Sequence, residues 1–292
     1  MPFKKISFVG LVTVFFSFIT SSINWSYPKN QYEKVVKAHE VLPTEEETDL
    51  FLFTIENPDY SHQTLKKLRG VGRRILDHVV VKGDTKVFGY LKVIYSQLNN
   101  TEVQGRAWIS HSIIKGFTSI YGKTDITNTE LYNLTVKGRF SISNSTAKGA
   151  LDVEGKFEAI NTTFEDKVNI LGLFKTRNSI FRKEVDIVGK VDALQTCFKN
   201  TITIISEKTL LKDVISKSIC VKKSDCNKKC CRENIQCKQC NNSQIITLAG
   251  KTVIQGSITF ESENGIVLLE EEATIEGQVI GGTIKKVVNS KK

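Results

Sequence analysis

The sequence predicts an all-β chain, a single-stranded triangular right-handed β-helix with rungs of about 17 residues. Three observations carry that prediction. Gly89, Gly105, Gly122, Gly138, Gly155, Gly172 and Gly189 recur every 16 or 17 residues. A short fixed period means that one small unit is stacked on copies of itself. Between glycines, apolar residues fall in three short segments that alternate with period two, which is the spacing of strands rather than helices. Like residues recur at like places, so Phe140, Phe157 and Phe174 form one column and Phe164, Phe181 and Phe198 another.

Each unit reads as glycine, then inward residues at its second and fourth following positions, as in Leu91 and Val93. A Ser or Thr follows at the seventh position (Ser96, Ser112, Thr129, Ser145, Thr162, Ser179, Thr196), with an apolar residue at the ninth. A third apolar pair, such as Val185 and Ile187, closes the unit. Glycine is expected at a corner, where a side chain would be strained. The hydroxyl column is expected at another corner, bonding a neighbouring rung.

Residues 1–23 read as a signal peptide, with Lys4 and Lys5 before an apolar run from Ile6 to Ile19 and the small polar residues Thr20, Ser21 and Ser22. An uncleaved membrane anchor is the alternative, since stretching the run to Ile23 approaches a spanning length. The expected location is therefore secreted, periplasmic or at the cell envelope. Residues 24–71 carry three of the four prolines and form a lead-in, in which Gln63 to Asp77 is expected as a short helix capping the first rung. The β-helix proper covers 72–221 in about nine rungs, the first of them weakened by Arg74 in an inward column.

Residues 222–243 are a basic insert that interrupts the repeat. Six of the seven cysteines, Cys220, Cys226, Cys230, Cys231, Cys237 and Cys240, lie within 21 residues there. In an exported chain such a cluster points to up to three disulfides, with 15 connectivities open. Zinc is the alternative, because Cys237 and Cys240 have ligand spacing. Cys197 is left over, free to pair with the insert, to pair between molecules or to remain a thiol. Rungs resume over 244–284 in altered form with a turn at Glu261 to Gly265, and 285–292 is a basic tail.

The formal charge is +10, falling to +8 without the two leader lysines. Between 217 and 240, seven cations face two acids. The residues just after five of the glycines, Arg106, Lys123, Arg139, Lys156 and Lys190, form an outward cationic stripe. It reads either as a solvated ladder offset by Asp125, Glu158 and Asp192, or as a groove for an anionic glycan, a lipid head group or nucleic-acid backbone. Anionic polymer, an anionic membrane surface and further copies of the chain are the partners this implies. The four histidines have no ligand-pair spacing and no nucleophile motif stands out, so neither an active site, a cofactor, a metal nor a small-molecule substrate is assigned. A carbohydrate-active enzyme rests only on analogy of fold and on Asp125, Glu158, Lys175 and Asp192 sharing a column.

The segments from Val81 to Val93, Val253 to Phe260 and Ile275 to Gly282 resemble the glycine-paced strands of bactofilins, polymer-forming bacterial cytoskeletal β-helices. The resemblance spans roughly residues 79 to 284. It implies a right-handed β-helix and end-to-end polymerisation. The export leader, the cysteine insert and the large aromatic columns depart from that pattern. The combined expectation is an exported structural or interaction protein, a scaffold that self-assembles at the envelope or cell exterior, with a binding module for anionic polymer as the alternative.

Overall fold

A computed structural model describes residues 59–223, 243–270 and 272–287 of the 292-residue chain. These form a right-handed β-solenoid of about 12 turns with rungs of about 17 residues. Every strand is parallel to its partners, and each residue lies beside its equivalent one rung away. Leu134–Ser143 and Leu151–Ile160, for example, match through ten consecutive pairs that include Gly138 with Gly155 and Phe140 with Phe157. We call the three sides of a rung face A, before the glycine, face B, after it, and face C, which follows the hydroxyl residue.

Two constraints keep glycine at the corner between faces A and B. From Gly89 to Gly189 the seven φ values lie between 131° and 139°, a region that side chains strain. A Cβ at any of these positions would also overlap the carbonyl oxygen of the glycine one rung before. The exposed stack of bare backbone leaves no room for a substituent.

The corner between faces B and C is built differently. His62, His78, Tyr95, His111, Asn128, Asn144, Asn161, Asn178, Gln195 and Asp213 all adopt φ of 45° to 55°. Asn and Asp tolerate this left-handed conformation because their short side chains bond locally. The next residue is the Ser or Thr of the repeat. Its buried hydroxyl donates to the carbonyl two residues earlier, at 2.6–2.9 Å. It also accepts from a backbone N–H one rung before, as when Val79 N donates to Ser96 Oγ at 2.9 Å and Thr129 N to Ser145 Oγ at 3.1 Å. The expected hydroxyl ladder thus supplies acceptors that the sharply turned backbone lacks.

The core is a stack of columns. Phe140, Phe157 and Phe174 follow at ring separations of 5.4 and 5.6 Å, and Phe164, Phe181 and Phe198 at 4.5 and 4.9 Å. The two columns touch edge-on through Phe157 and Phe164 at 5.8 Å. Each ring is buried, which contributes about 1.5–3 kcal/mol apiece.

The helix expected over Gln63 to Asp77 is absent. The segment is strand at Thr64–Leu65 and Leu68–Asp77, the latter in full register with Thr85–Ile94. Leu68, Gly70, Arg74 and Leu76 face inward while Arg69 and Arg73 face out, so the period-two pattern prevails over the helical character of the basic run. The first strand among the described residues, Asp59–Ser61, lies inside the segment expected as lead-in. Arg74 is 2% exposed, and the missing side chain of Gly70 makes room for its guanidinium, whose Nη1 donates to the Arg73 carbonyl at 2.9 Å. Burial pushes this guanidinium below its ordinary range, with Tyr60 acting in the opposite direction.

The insert does not break the solenoid. Lys208–Lys212 pairs directly with Ile245–Ala249, and Ile219 with Ile258, so rungs on either side of it stack without a gap. The hydroxyl ladder also continues across it, from Val214 N to Thr252 Oγ1 at 3.2 Å. The C-terminal rungs run through Ile258–Phe260 and Gly265–Glu270 to the last strand, Gly282–Val287. The leader, the cysteines of the insert from Cys226 to Cys240 and the end of the basic tail lie outside the described residues.

Two core substitutions are expected to act with opposite sign. Phe174→Ala removes the middle of the aromatic stack and is expected to cost about 3–5 kcal/mol. Thr124 is 0% exposed and its Oγ1 has no partner among the described residues, so Thr124→Val is expected to stabilise by about 1–2 kcal/mol. Denaturant unfolding of the two variants measures both.

Candidate functional site

The cationic stripe forms as the repeat requires. Arg73, Tyr90, Arg106, Lys123, Arg139, Lys156, Leu173 and Lys190 pair in unbroken register along face B, next to the glycine corner. Like charges stacked in this way repel, and the chain offsets part of that repulsion. Asp125 binds both Arg106 at 3.2 Å and Lys123 at 3.3 Å, and Glu158 binds Lys156 at 3.2 Å. These are exposed pairs, worth at most about 1 kcal/mol each.

The acidic column read from the sequence is therefore mostly a charge ladder. Asp125, Ser141, Glu158, Lys175 and Asp192 follow one another in register, so a serine or a lysine separates every two carboxylates. Two of the three acids are tied to cations of the stripe. Nothing in this arrangement presents two carboxylates to one bond.

Sequence reading missed the aromatic partners of the stripe. Tyr90 lies between Arg73 and Arg106, each guanidinium 5.9 Å from the ring centre, and Lys92 Nζ lies 4.9 Å over Trp108. The signal was present in the second outward column of face B, where Lys92 and Trp108 occupy consecutive rungs. A second missed feature is an open groove of about 450 Å³ on face A, lined by Asp84, Lys86, Asn100, Glu102, Phe117 and Tyr121. Phe117 is 73% exposed in a turn where neighbouring rungs place Asn100 and Asn133. Lys86 and Glu102 pair across the groove at 3.1 Å, and Asn100 Nδ2 donates to Asp84 at 3.0 Å, so its polar side chains already satisfy one another.

The histidines, which lack ligand-pair spacing in the sequence, share a column on the solenoid. His62, His78, Tyr95 and His111 stack at 4.8, 5.0 and 4.9 Å on the exposed left-handed corner. His78 bonds Asp77 at 2.7 Å and His111 bonds Ser110 at 2.7 Å. Among the described residues, no three His, Cys, Asp or Glu side chains converge as metal ligands.

Of the candidate disulfide residues, Cys197 and Cys220 are described, and neither has a disulfide partner among the described residues. Cys197 stands outward on face C between Ile180 and Ile215, while Cys220 stands on face A between Thr203 and Thr259. They lie on different faces and do not meet. Burial, then nearby Glu261, pushes the Cys220 thiol up despite Lys222. A protonated thiol is a slow partner in exchange.

The root of the insert is well defined. By register, Lys223 counted along face A and Gln244 counted along face B occupy the glycine place, so the described chain breaks off and resumes at the same corner that the stripe follows. Buried Gln244 joins the two ends. Its Nε2 donates to the carbonyls of Lys222 at 2.8 Å and Ser206 at 3.4 Å, and its Oε1 accepts from Ser262 Oγ at 2.9 Å. Lys223 N donates to Glu261 at 3.3 Å on the next rung. Two features that looked separate in sequence, stripe and insert, thus share one edge.

No family model matches this chain, and neither a curated protein nor a solved structure matches it.

Replacing Gln244 with Ala leaves the Lys222 carbonyl and the Ser262 hydroxyl without their partner. The expected effect is a loss of about 1–3 kcal/mol, concentrated at the insert. Limited proteolysis is expected to cut Gln244→Ala between 222 and 243 faster than the parent, with the rungs from 72 to 205 protected equally in both.

Proposed function

We propose that this protein is an exported structural or interaction protein, a β-solenoid scaffold that assembles end to end with copies of itself at the cell envelope or exterior. One observation carries the reading: among the described residues, nothing covers the last rung. Strand Gly282–Val287 bonds only to Gly265–Glu270, and its other edge is unpaired among the described residues. Ile280 and Ile284, in the same rung, are each 49% exposed. Unpaired edges are templates for further strands, and most proteins blunt them.

The two ends of a parallel solenoid complement each other, because the outer edge of a last rung offers the hydrogen-bonding pattern that a first rung accepts. At the other end, Asp59–Ser61 and Thr64–Leu65 likewise pair on one side only among the described residues. The first rungs carry Lys67 and Arg73 with Asp59 and Asp77, and the last carry Glu261, Glu263, Glu270 and Glu276 with Lys285 and Lys286, so each end holds both signs. Lys286 ends an inward column whose first member is Tyr60, so a stacked copy brings an ammonium against an aromatic ring. The resemblance to bactofilins supports the same mode of assembly.

Purified protein is expected to form rods whose length grows with concentration in electron micrographs. Ile284→Asp, which places a carboxylate on the exposed rung, is expected to leave single solenoids with unchanged circular dichroism. Particles that stay monomeric at the highest soluble concentration contradict the proposal.

A further inference from the structure

Phe117 breaks its column. In the turn before face A, successive rungs place Asp84, Asn100, Phe117, Asn133 and Ala150, so a phenyl ring stands where its neighbours carry short side chains. The ring is 73% exposed, so core packing does not explain it. Its backbone, by contrast, is pinned. Phe117 N donates to Asn100 Oδ1 at 3.1 Å, its carbonyl accepts from Thr101 N at 2.8 Å, and Asn100 Nδ2 donates to Asp84 at 3.0 Å. A Cβ on Gly116 would overlap Asn100, so the turn sits tight against the rung before. On the same rung Tyr121, 47% exposed, stands four residues on, about 13 Å along the strand. Between them lies Ser119, in register with Glu102 and Lys86. Two aromatic rings thus border the groove of about 450 Å³, over a small hydroxyl beside a lysine–glutamate pair.

We infer that this groove is a binding site for a short run of rings in a neutral polysaccharide. A pyranose presents apolar C–H faces and a rim of hydroxyls that both donate and accept. Phe117 and Tyr121 offer exposed apolar rings, and Asp84, Asn100, Glu102 and Lys86 offer acceptors and donors beside them, which matches such an amphiphilic ring. Other occupants fit less well. Asp84 and Glu102 disfavour a polyanion, and Lys86 offsets only one of them. An extended peptide needs an unpaired strand edge, but Thr85–Ile94, Thr101–Ser110 and Thr118–Thr127 are each paired on both sides. A proline-rich peptide stacks on aromatic rings, yet its prolines have no N–H to give the two carboxylates. A sugar hydroxyl has a proton to give. The side chains are already held by one another, and such preorganisation lowers the ordering cost of binding. This inference does not rest on end-to-end assembly.

The test is titration calorimetry of the full-length chain with neutral hexasaccharides of glucose, xylose, mannose and N-acetylglucosamine, with polygalacturonate and decaproline as competitors. At least one neutral hexasaccharide is expected to bind, with an affinity that added salt leaves unchanged. Phe117→Asn and Tyr121→Gln each install the residue that the preceding rung carries at that place, Asn100 and Gln104, so the repeat accommodates both. Each is expected to weaken binding by about tenfold or more. Tyr95→Asn removes a ring of similar exposure from the left-handed corner, where Asn is already common, and is expected to change binding by about twofold or less. Absence of binding by every neutral hexasaccharide overturns the inference. So does an affinity that Phe117→Asn leaves unchanged, an equal loss in Tyr95→Asn, or displacement of the bound sugar by an equal concentration of polygalacturonate or decaproline.

Discussion

The fold depends on one steric constraint: each glycine of the corner lies beneath the carbonyl of the glycine one rung before, where no side chain fits. Parallel stacking at about 4.8 Å forces every rung to repeat the backbone of its neighbour. A residue that strains one rung therefore strains the stack, and the corner becomes a column of a single residue type. Once the glycines are aligned, everything between them is in register. The phenylalanine columns, the hydroxyl ladder and the cationic stripe are consequences of that alignment. The same rule explains why the rungs tolerate an insert here, since Lys223 and Gln244 both stand at the corner, outside the paired strands.

Where a property depends on a column, the sequence displays it, because a column is a period. The glycine corner, the stacked Phe140, Phe157 and Phe174, and the hydroxyl column were all legible for that reason. Features that depend on one rung against another were not. The left-handed corner was visible only as a column of Asn, Tyr, His and Gln, whose common demand is conformational and not chemical. A helix is expected over Gln63 to Asp77 because an open first rung calls for a lid, whereas the template supplied by Thr85–Ile94 decides its structure. Gln244 carries no signal at all, since its role exists only once 206, 222 and 262 are brought together.

Polar residues divide along the same lines. Where they repeat, they serve the solenoid, as the buried hydroxyls do; where they depart from the repeat, they mark surface that packing does not require. Lys92 and exposed Phe117 belong to the second kind, and both lie in the N-terminal half of the solenoid. The C-terminal half departs differently, through the insert and the final rung, which nothing covers among the described residues. A solenoid keeps such features apart because distant rungs do not touch.

The central claim, that the glycine corner is a close-packed backbone column and not a flexible joint, is tested most directly by the unfolding free energy of Gly155→Ala. A rigid, overlapped corner predicts destabilisation of about 2–5 kcal/mol, combining left-region strain with overpacking against the Gly138 carbonyl. At a permissive glycine the same change stabilises by about 0.4–1 kcal/mol through the unfolded state. A neutral or stabilised Gly155→Ala protein contradicts the account.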